Sequence, residues 1–335
     1  MNIHTKISVI IPVYNRASLI QETLRSIQSQ TYQQWECIII DDNSTDNTWD
    51  VIIDFSNLDS RFKVYKKPCE LQKGPSASRN FGLLKSEGDV VHFFDSDDLL
   101  NNTFYENIIP SFLDSDTDYV VTRIAFFDKS IDFLNKSAPI IYKDFVVNGF
   151  IGKHLFYTQN VIWKRDFLSR TNILFNENVT MCEDLDFDVR HFLISNKFTI
   201  RNDMFIFIRK HIFSLTGSQI KDDIIKRNIS NLIIIKELID LLTKNKMDNA
   251  LVIKTNSRRI NFLINDLLRY EYFKKDIISY WLFMDKELLK YLLIKDFLKY
   301  NKAILYNIFT LITKNTIQKI RLSKTQESHK NISKT

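Results

Sequence analysis

Four strand-like runs punctuate the first hundred residues: ISVIIPV at 7–13, WECIIIDD at 35–42, FKVY at 62–65 and VVHFF at 90–94. Three of them do not alternate apolar with polar residues. They therefore suit strands covered on both faces. The stretches between them have helical periodicity. Ile20, Leu24 and Ile27 share one face over 17–30, Asp46 can cap a helix over 47–56, and Ser76 can cap one running to Lys85. Strand, helix, strand, helix implies parallel pairing through right-handed crossovers. The expected fold class is α/β, a mostly parallel central sheet flanked by helices.

In such a sheet, ligands bind beyond the carboxyl ends of the strands. Those ends carry Tyr14-Asn15-Arg16, Asp41-Asp42 and Asp95-Ser96-Asp97-Asp98. A D-x-D at a strand end costs repulsion unless a cation neutralises it. Hard carboxylate oxygens favour Mg²⁺ or Mn²⁺, and Mg²⁺ commonly binds one or two carboxylates plus substrate phosphates. The competing reading is a solvated turn that caps the next helix. Neither GxxxxGK[ST] nor GxGxxG occurs, so a metal is the obvious substitute for a glycine phosphate cradle. Taken singly, the other edge residues are ambiguous. Tyr14 can face a base or pack in a turn. Arg79, in GPSASRNFGL, can pair with a phosphate or a surface acid. Thr45 and Asp46 read best as caps.

Charge divides the chain. Residues 1–216 hold 23 Lys and Arg against 28 Asp and Glu, a balance of −5; residues 217–335 hold 23 against 12, a balance of +11. Past Gly217 the apolar residues cluster at helical spacing, with almost no Gly and no Pro. The expectation is a unit over 1–217, helices over 218–322 and a frayed polar tail from about 323. A basic helical region suits an anionic membrane surface, a solvated face or a dimer interface. No nucleic-acid module is recognisable, so nucleic acid is not an expected partner. Cys37, Cys69 and Cys182 form no CxxC pair, which suggests a reducing compartment. The opening MNIHTKISVIIPVYN lacks a signal-peptide pattern, and no run approaches 18 uncharged apolar residues. The expected location is cytoplasmic, with peripheral attachment to the cytoplasmic face of a bacterial inner membrane as one option.

The order VIIPVYNRASLIQETLRSIQSQTYQQWECIIIDDNSTDNT, GPSASRN, HFFDSDD resembles the family 2 glycosyltransferases of GT-A (Rossmann-like) fold. The likeness is detailed over 5–105, the nucleotide-sugar half, and looser over 106–217, the acceptor half. It implies an inverting, metal-dependent enzyme using a nucleotide-activated sugar, a UDP-sugar if Asp42 reads uracil. It also implies that Pro12 and Tyr14 border the base and that Arg79 helps hold the nucleotide. Asp95 would lie by ribose and metal, and Asp97 would be the main metal ligand with Asp98 as support. The acidic pair in TMCEDLDF makes Asp184 the base, where the residues alone read as an acidic helix start favoured by the dipole. IRKHIFSLTGS looks like the family's R-x-H-x-x-S-x-T segment. It would bring Arg209 to phosphate and make His211 a third metal ligand or a diphosphate contact. His92, His154 and His191 read as structural, and Trp163 as near the acceptor. The acceptor implied is a glycan or lipid-linked hydroxyl in capsule, O-antigen or similar synthesis. The rival readings are a non-catalytic nucleotide-sugar-binding scaffold and a nucleotidyltransferase; PVYNRAS is a poor phosphate loop for the latter.

Overall fold

The computed structural model describes residues 5–113, 116–128, 135–140, 157–179 and 183–210, with residues 230, 234, 237 and 241. All lie within the compact unit Met1–Met247. His154, Cys182, His211 and the readings for the basic half beyond residue 241 lie outside the described residues.

Strands β1 (Ile7–Val13), β2 (Trp35–Asp41), β3 (Phe62–Lys66) and β4 (Val90–Phe93) alternate with helices α1 (Ile20–Gln28), α2 (Thr48–Leu58) and α3 (Pro75–Lys85). They pair in parallel, β3-β2-β1-β4. Each residue of β2, and every residue of β1 except Pro12, is buried. Each fully buried Ile or Val there contributes about 1.5–3 kcal/mol relative to exposure. Beyond β4 the sheet turns mixed. Strand β7 (Val161–Lys164) runs antiparallel to both β4 and β5 (Tyr119–Phe127). The short β6 (Asn135–Lys136) pairs antiparallel with β5, and β8 (Phe198–Arg209) lies parallel along all of β5. Helices α4 (Phe104–Ile108), α5 (Arg165–Thr171) and α6 (Glu183–Phe192) and two 3-10 turns, Ile109–Phe112 and Thr158–Asn160, complete the described elements.

The start of α3 differs from expectation. Helix α3 starts at Pro75, so Ser76 lies inside it rather than capping it. Proline suits a first helical turn, and Gly74 ahead of it adopts φ 127°, open to glycine at little cost. Strand β8 can start as early as Phe198 because β5 offers it a partner along its full length.

Helix α3 sits hard against the sheet through Gly82. A Cβ there would lie 2.4 Å from Ile10 Cγ2 and 3.3 Å from Ile40 Cγ1. The absent side chain sets the depth at which α3, and so Arg79 one turn earlier, rests on β1 and β2.

Candidate active site

The register aligns Val13 with Asp41 and Asp41 with Lys66, so the loops after β1, β2 and β3 leave the same edge. The first two are knitted together. Asn15, at φ 50°, donates its N–H to Ser44 Oγ at 3.0 Å and accepts from Thr45 N at 2.8 Å through Oδ1. Arg16 N donates to Thr48 Oγ1 at 2.8 Å, and Asp46 Oδ1 accepts from Thr48 N at 3.0 Å. Asp41 is buried and accepts from Ser44 N, which leaves Asp42 as the acid nearer the surface. Asp42 accepts from Gly74 N at 2.7 Å and faces Lys67 Nζ at 2.5 Å. Lys67 is buried and donates onward to Gln72 O at 2.7 Å. Nothing in YKKPC marks Lys67 over Lys66 as the buried one; only the pairing with Asp42 does. Pro12 is partly buried beside Ile40. Tyr14 is exposed, with Lys73 Nζ 4.2 Å over its ring.

The acidic loop follows β4. Asp95, Asp97 and Asp98 each bring an oxygen within 4.8 Å of the others. Asp98 is buried, and its oxygens accept from Gln159 Nε2 at 2.6 Å and Arg209 N at 2.9 Å. Burial, then Asp97 and Asp95, push its pKa well above the usual carboxylate range. Asp97 Oδ2 lies 3.5 Å from Arg16 Nε, and its carbonyl accepts from Arg209 Nε at 3.1 Å. Leu99 and Phe207 exchange two backbone bonds of 3.0 Å, tying this loop to β8. Arg209 also reaches Glu22 on α1 at 2.6 Å and stands over the Phe127 ring. Three converging carboxylates form a hard-oxygen donor set, which fits Mg²⁺ or Mn²⁺. Asp95 and Asp97 are the more exposed of the three, with side chains 34% and 19% exposed.

Arg79 joins this loop to α6. Its two terminal nitrogens lie 2.8 Å from Asp95 Oδ1 and 3.0 Å from Glu183 Oε1. Burial works against its charge, and the two carboxylates more than offset that, raising its pKa. Asp95 remains raised, by burial first, with Asp97 adding to it and Arg79 opposing it. Next to Glu183, Asp184 Oδ1 accepts from Leu185 N at 2.7 Å, its one hydrogen bond among the described residues. Burial, then Glu183, push its pKa up to about 7, with the Leu185 N–H and Arg79 opposing and Asp95 adding. The loop entering α6 is strapped to α3. Asn80 exchanges bonds of 3.0 and 2.9 Å with Phe175 O and N and donates to Glu177 Oε1 at 2.9 Å.

Asp188, one turn after Asp184, is fully buried, and neither carboxyl oxygen has a hydrogen-bond partner among the described residues. Burial, then Asp184, drive its pKa well up, with Arg79 opposing. Its spacing from Leu185 and Phe192 puts it on the buried face, a signal the acidic-helix-start reading overlooks. Trp163, expected near an acceptor, is fully buried among Tyr119, Phe167, Phe187 and His191. As a β7 residue beside β4 and β5 it belongs to the core. His92 is buried between the Tyr105 hydroxyl at 3.1 Å and Gln159 O at 2.7 Å, and His191 bonds Phe187 O at 2.8 Å.

Residues 8–182, more than half of the chain, match the family model described as Glycosyl transferase family 2. Among curated relatives, an uncharacterised glycosyltransferase of Haemophilus influenzae is 42% identical over 96 residues, covering 29% of this chain and 38% of that one. The poly(ribitol-phosphate) beta-N-acetylglucosaminyltransferase TarP of Staphylococcus aureus is 30% identical over 207 residues, covering 59% and 61%. The chain thus spans less than two thirds of each of these relatives. Among solved structures, S. aureus TarS 1–349 in complex with UDP-GlcNAc superposes with a TM-score of 0.63 at 18% identity, covering 85% of this chain and 81% of that one. That likeness is one of fold, and the fold is the GT-A arrangement of a mostly parallel sheet with flanking helices.

Proposed function

The chain belongs to glycosyl transferase family 2, and from that membership we propose that it moves a sugar from a nucleotide-diphosphate donor, UDP-linked, to a hydroxyl of a glycan or lipid-linked acceptor. The setting is synthesis of a bacterial surface polysaccharide, and the reaction inverts the anomeric centre. What carries the reading is the meeting of Asp95, Glu183 and Asp184 around Arg79, with Asp184 raised to about 7. A carboxylate with that proton affinity is a competent base near neutral pH. The names of TarP and of TarS with UDP-GlcNAc support a UDP-sugar donor and a cell-surface polymer.

Each residue then has a task. Tyr14 and Pro12 border the base, and Asp42, braced by Lys67 and Gly74 N, accepts from the base edge. Asp97 and Asp95, with His211, would hold Mn²⁺ or Mg²⁺. Asp98 braces the loop through Gln159 and Arg209 N. When bound, the metal supplies neutralisation of the charge that develops on the leaving diphosphate. Arg209, beside Asp97, is a phosphate contact. Asp184 takes the acceptor's hydroxyl proton as the new C–O bond forms and the bond to the diphosphate oxygen breaks. The catalytic unit is 1–217. The basic 218–335 region approaches an anionic membrane face or a second copy; no helix among the described residues is long and apolar enough to cross a membrane.

A screen of nucleotide sugars for Mn²⁺-dependent binding and hydrolysis tests this, with Asp97→Ala as control. One donor family should bind, and Asp97→Ala should abolish its metal dependence. Failure of every donor to bind would defeat the reading.

A further inference from the structure

The guanidinium of Arg79 is already spent. Its side chain is 5% exposed, one terminal nitrogen goes to Asp95 and the other to Glu183, and its Nε is buried without a hydrogen-bond partner among the described residues. Its plane rests over Phe175, 5.3 Å from the ring centre. A phosphate could take this group only by displacing a carboxylate from a buried charge pair, and such pairs are costly to break. We propose that Arg79 is a positioning residue: it acts through Asp95 and Glu183, setting the base side of the site at a fixed distance from the donor side.

Three observations point the same way. Asp95 is 16 residues from Arg79 and Glu183 is 104 residues away, so one side chain joins the end of β4 to the first turn of α6. The neighbouring Asn80 makes a second tie, to Phe175 and Glu177 in the loop before α6. Successive residues of α3 therefore hold the approach to α6 and its start. Finally, the fork takes Glu183 and not Asp184, whose Oδ1 accepts from Leu185 N, its one hydrogen bond among the described residues. Arg79 thus fixes where Asp184 stands without occupying the oxygens that must receive a proton. Planar two-ended recognition suits arginine and is lost on change to lysine.

The inference rests on the proposed glycosyl transfer. Its test is a double-mutant cycle on the full chain, with Arg79→Lys, Glu183→Gln and the pair, read in kcat and in donor KM. Each single change should lower kcat roughly 10- to 100-fold, the cost of misplacing a reacting group. Donor KM should move less than about threefold, and the pair should be no slower than the worse single variant. If Arg79→Lys instead raises donor KM in proportion and the two losses multiply, Arg79 is a nucleotide contact and the inference falls. Should Arg79→Lys fail to fold, Glu183→Gln still decides: it leaves Arg79 in place, and an unchanged kcat refutes the link. Wild-type protein without transfer from any donor would overturn the functional reading first, and this proposal with it.

Discussion

At the amino edge of the sheet, Glu36 meets Lys6 and Lys63, each at 2.8 Å, the Ser8 hydroxyl at 2.7 Å and the Glu87 N–H at 2.7 Å. At the carboxyl edge, among the described residues, Asp95, Asp97, Asp98, Glu183 and Asp184 gather around Arg79, Arg16 and Arg209. Both edges bury carboxylates, yet with opposite results. Burial would raise Glu36, but its four donors bring it down to about 2. The same burial raises Asp184 to about 7, because a neighbouring carboxylate adds to it. One edge spends its charge on holding strands together. Among the described residues the other gathers more acids than cations, which fits the metal and the acceptor proton of the proposed reaction.

The contrast can be broken most directly at Asp184. Asp184→Asn should cut kcat by about 10²- to 10⁴-fold and leave Mn²⁺-dependent donor binding intact, as measured by calorimetry. Appreciable transfer by that variant would move the base elsewhere. In the wild type, kcat/KM should rise with pH through about 7, since only ionised Asp184 accepts a proton. Glu183→Gln should move that limb to lower pH by removing the charge that helps raise it.

Glu36→Gln should act at the other edge alone. It should cost about 3 kcal/mol at neutral pH, seen in urea melts, with kcat unchanged. The sign follows from the lowered pKa. Glu36 stabilises the fold above its ordinary value of 4.5, and that contribution disappears as pH falls through about 2. The smallest effect belongs to Asp188. Its raised pKa means its neutral form favours folding at low pH, and stability is lost as pH rises. Asp188→Asn should therefore raise Tm by about 2–4 °C at pH 8 and little at pH 4. A fall in Tm at pH 8 would mean that the buried carboxyl has a structural role its lack of hydrogen-bond partners among the described residues does not reveal.

Much of this was readable from local pattern. The runs at 7–13, 35–42 and 90–94 became buried parallel strands within a residue or so, since continuous β-branched sequence has few other uses. The acids at strand ends arrived together at one edge because parallel topology leaves them no alternative. What stayed hidden depends on register between distant segments. Lys67 is buried only because β3 pairs with β2 beside Asp42. Arg79 meets Glu183 only once a loop more than ninety residues on is strapped to Asn80. Trp163 read as a neighbour of the acceptor, and the insertion of β7 between β4 and β5 puts it in the core instead. Periodicity reports which face of an element is buried, and it is silent on which polar groups find one another there.

The side-chain atoms nearest to Gly82 belong to Ile10 and Ile40, not to an acid. Yet the clearance beneath it, too small for a methyl group beside Ile10, fixes the height of the helix that carries Arg79 and Asn80. A side chain there would tilt the bridge between donor and base with every catalytic atom still present. Such a lesion would look, in an assay, like damage to the active site. In a genetic screen it would be suppressed by a smaller residue at position 10 of the sheet below.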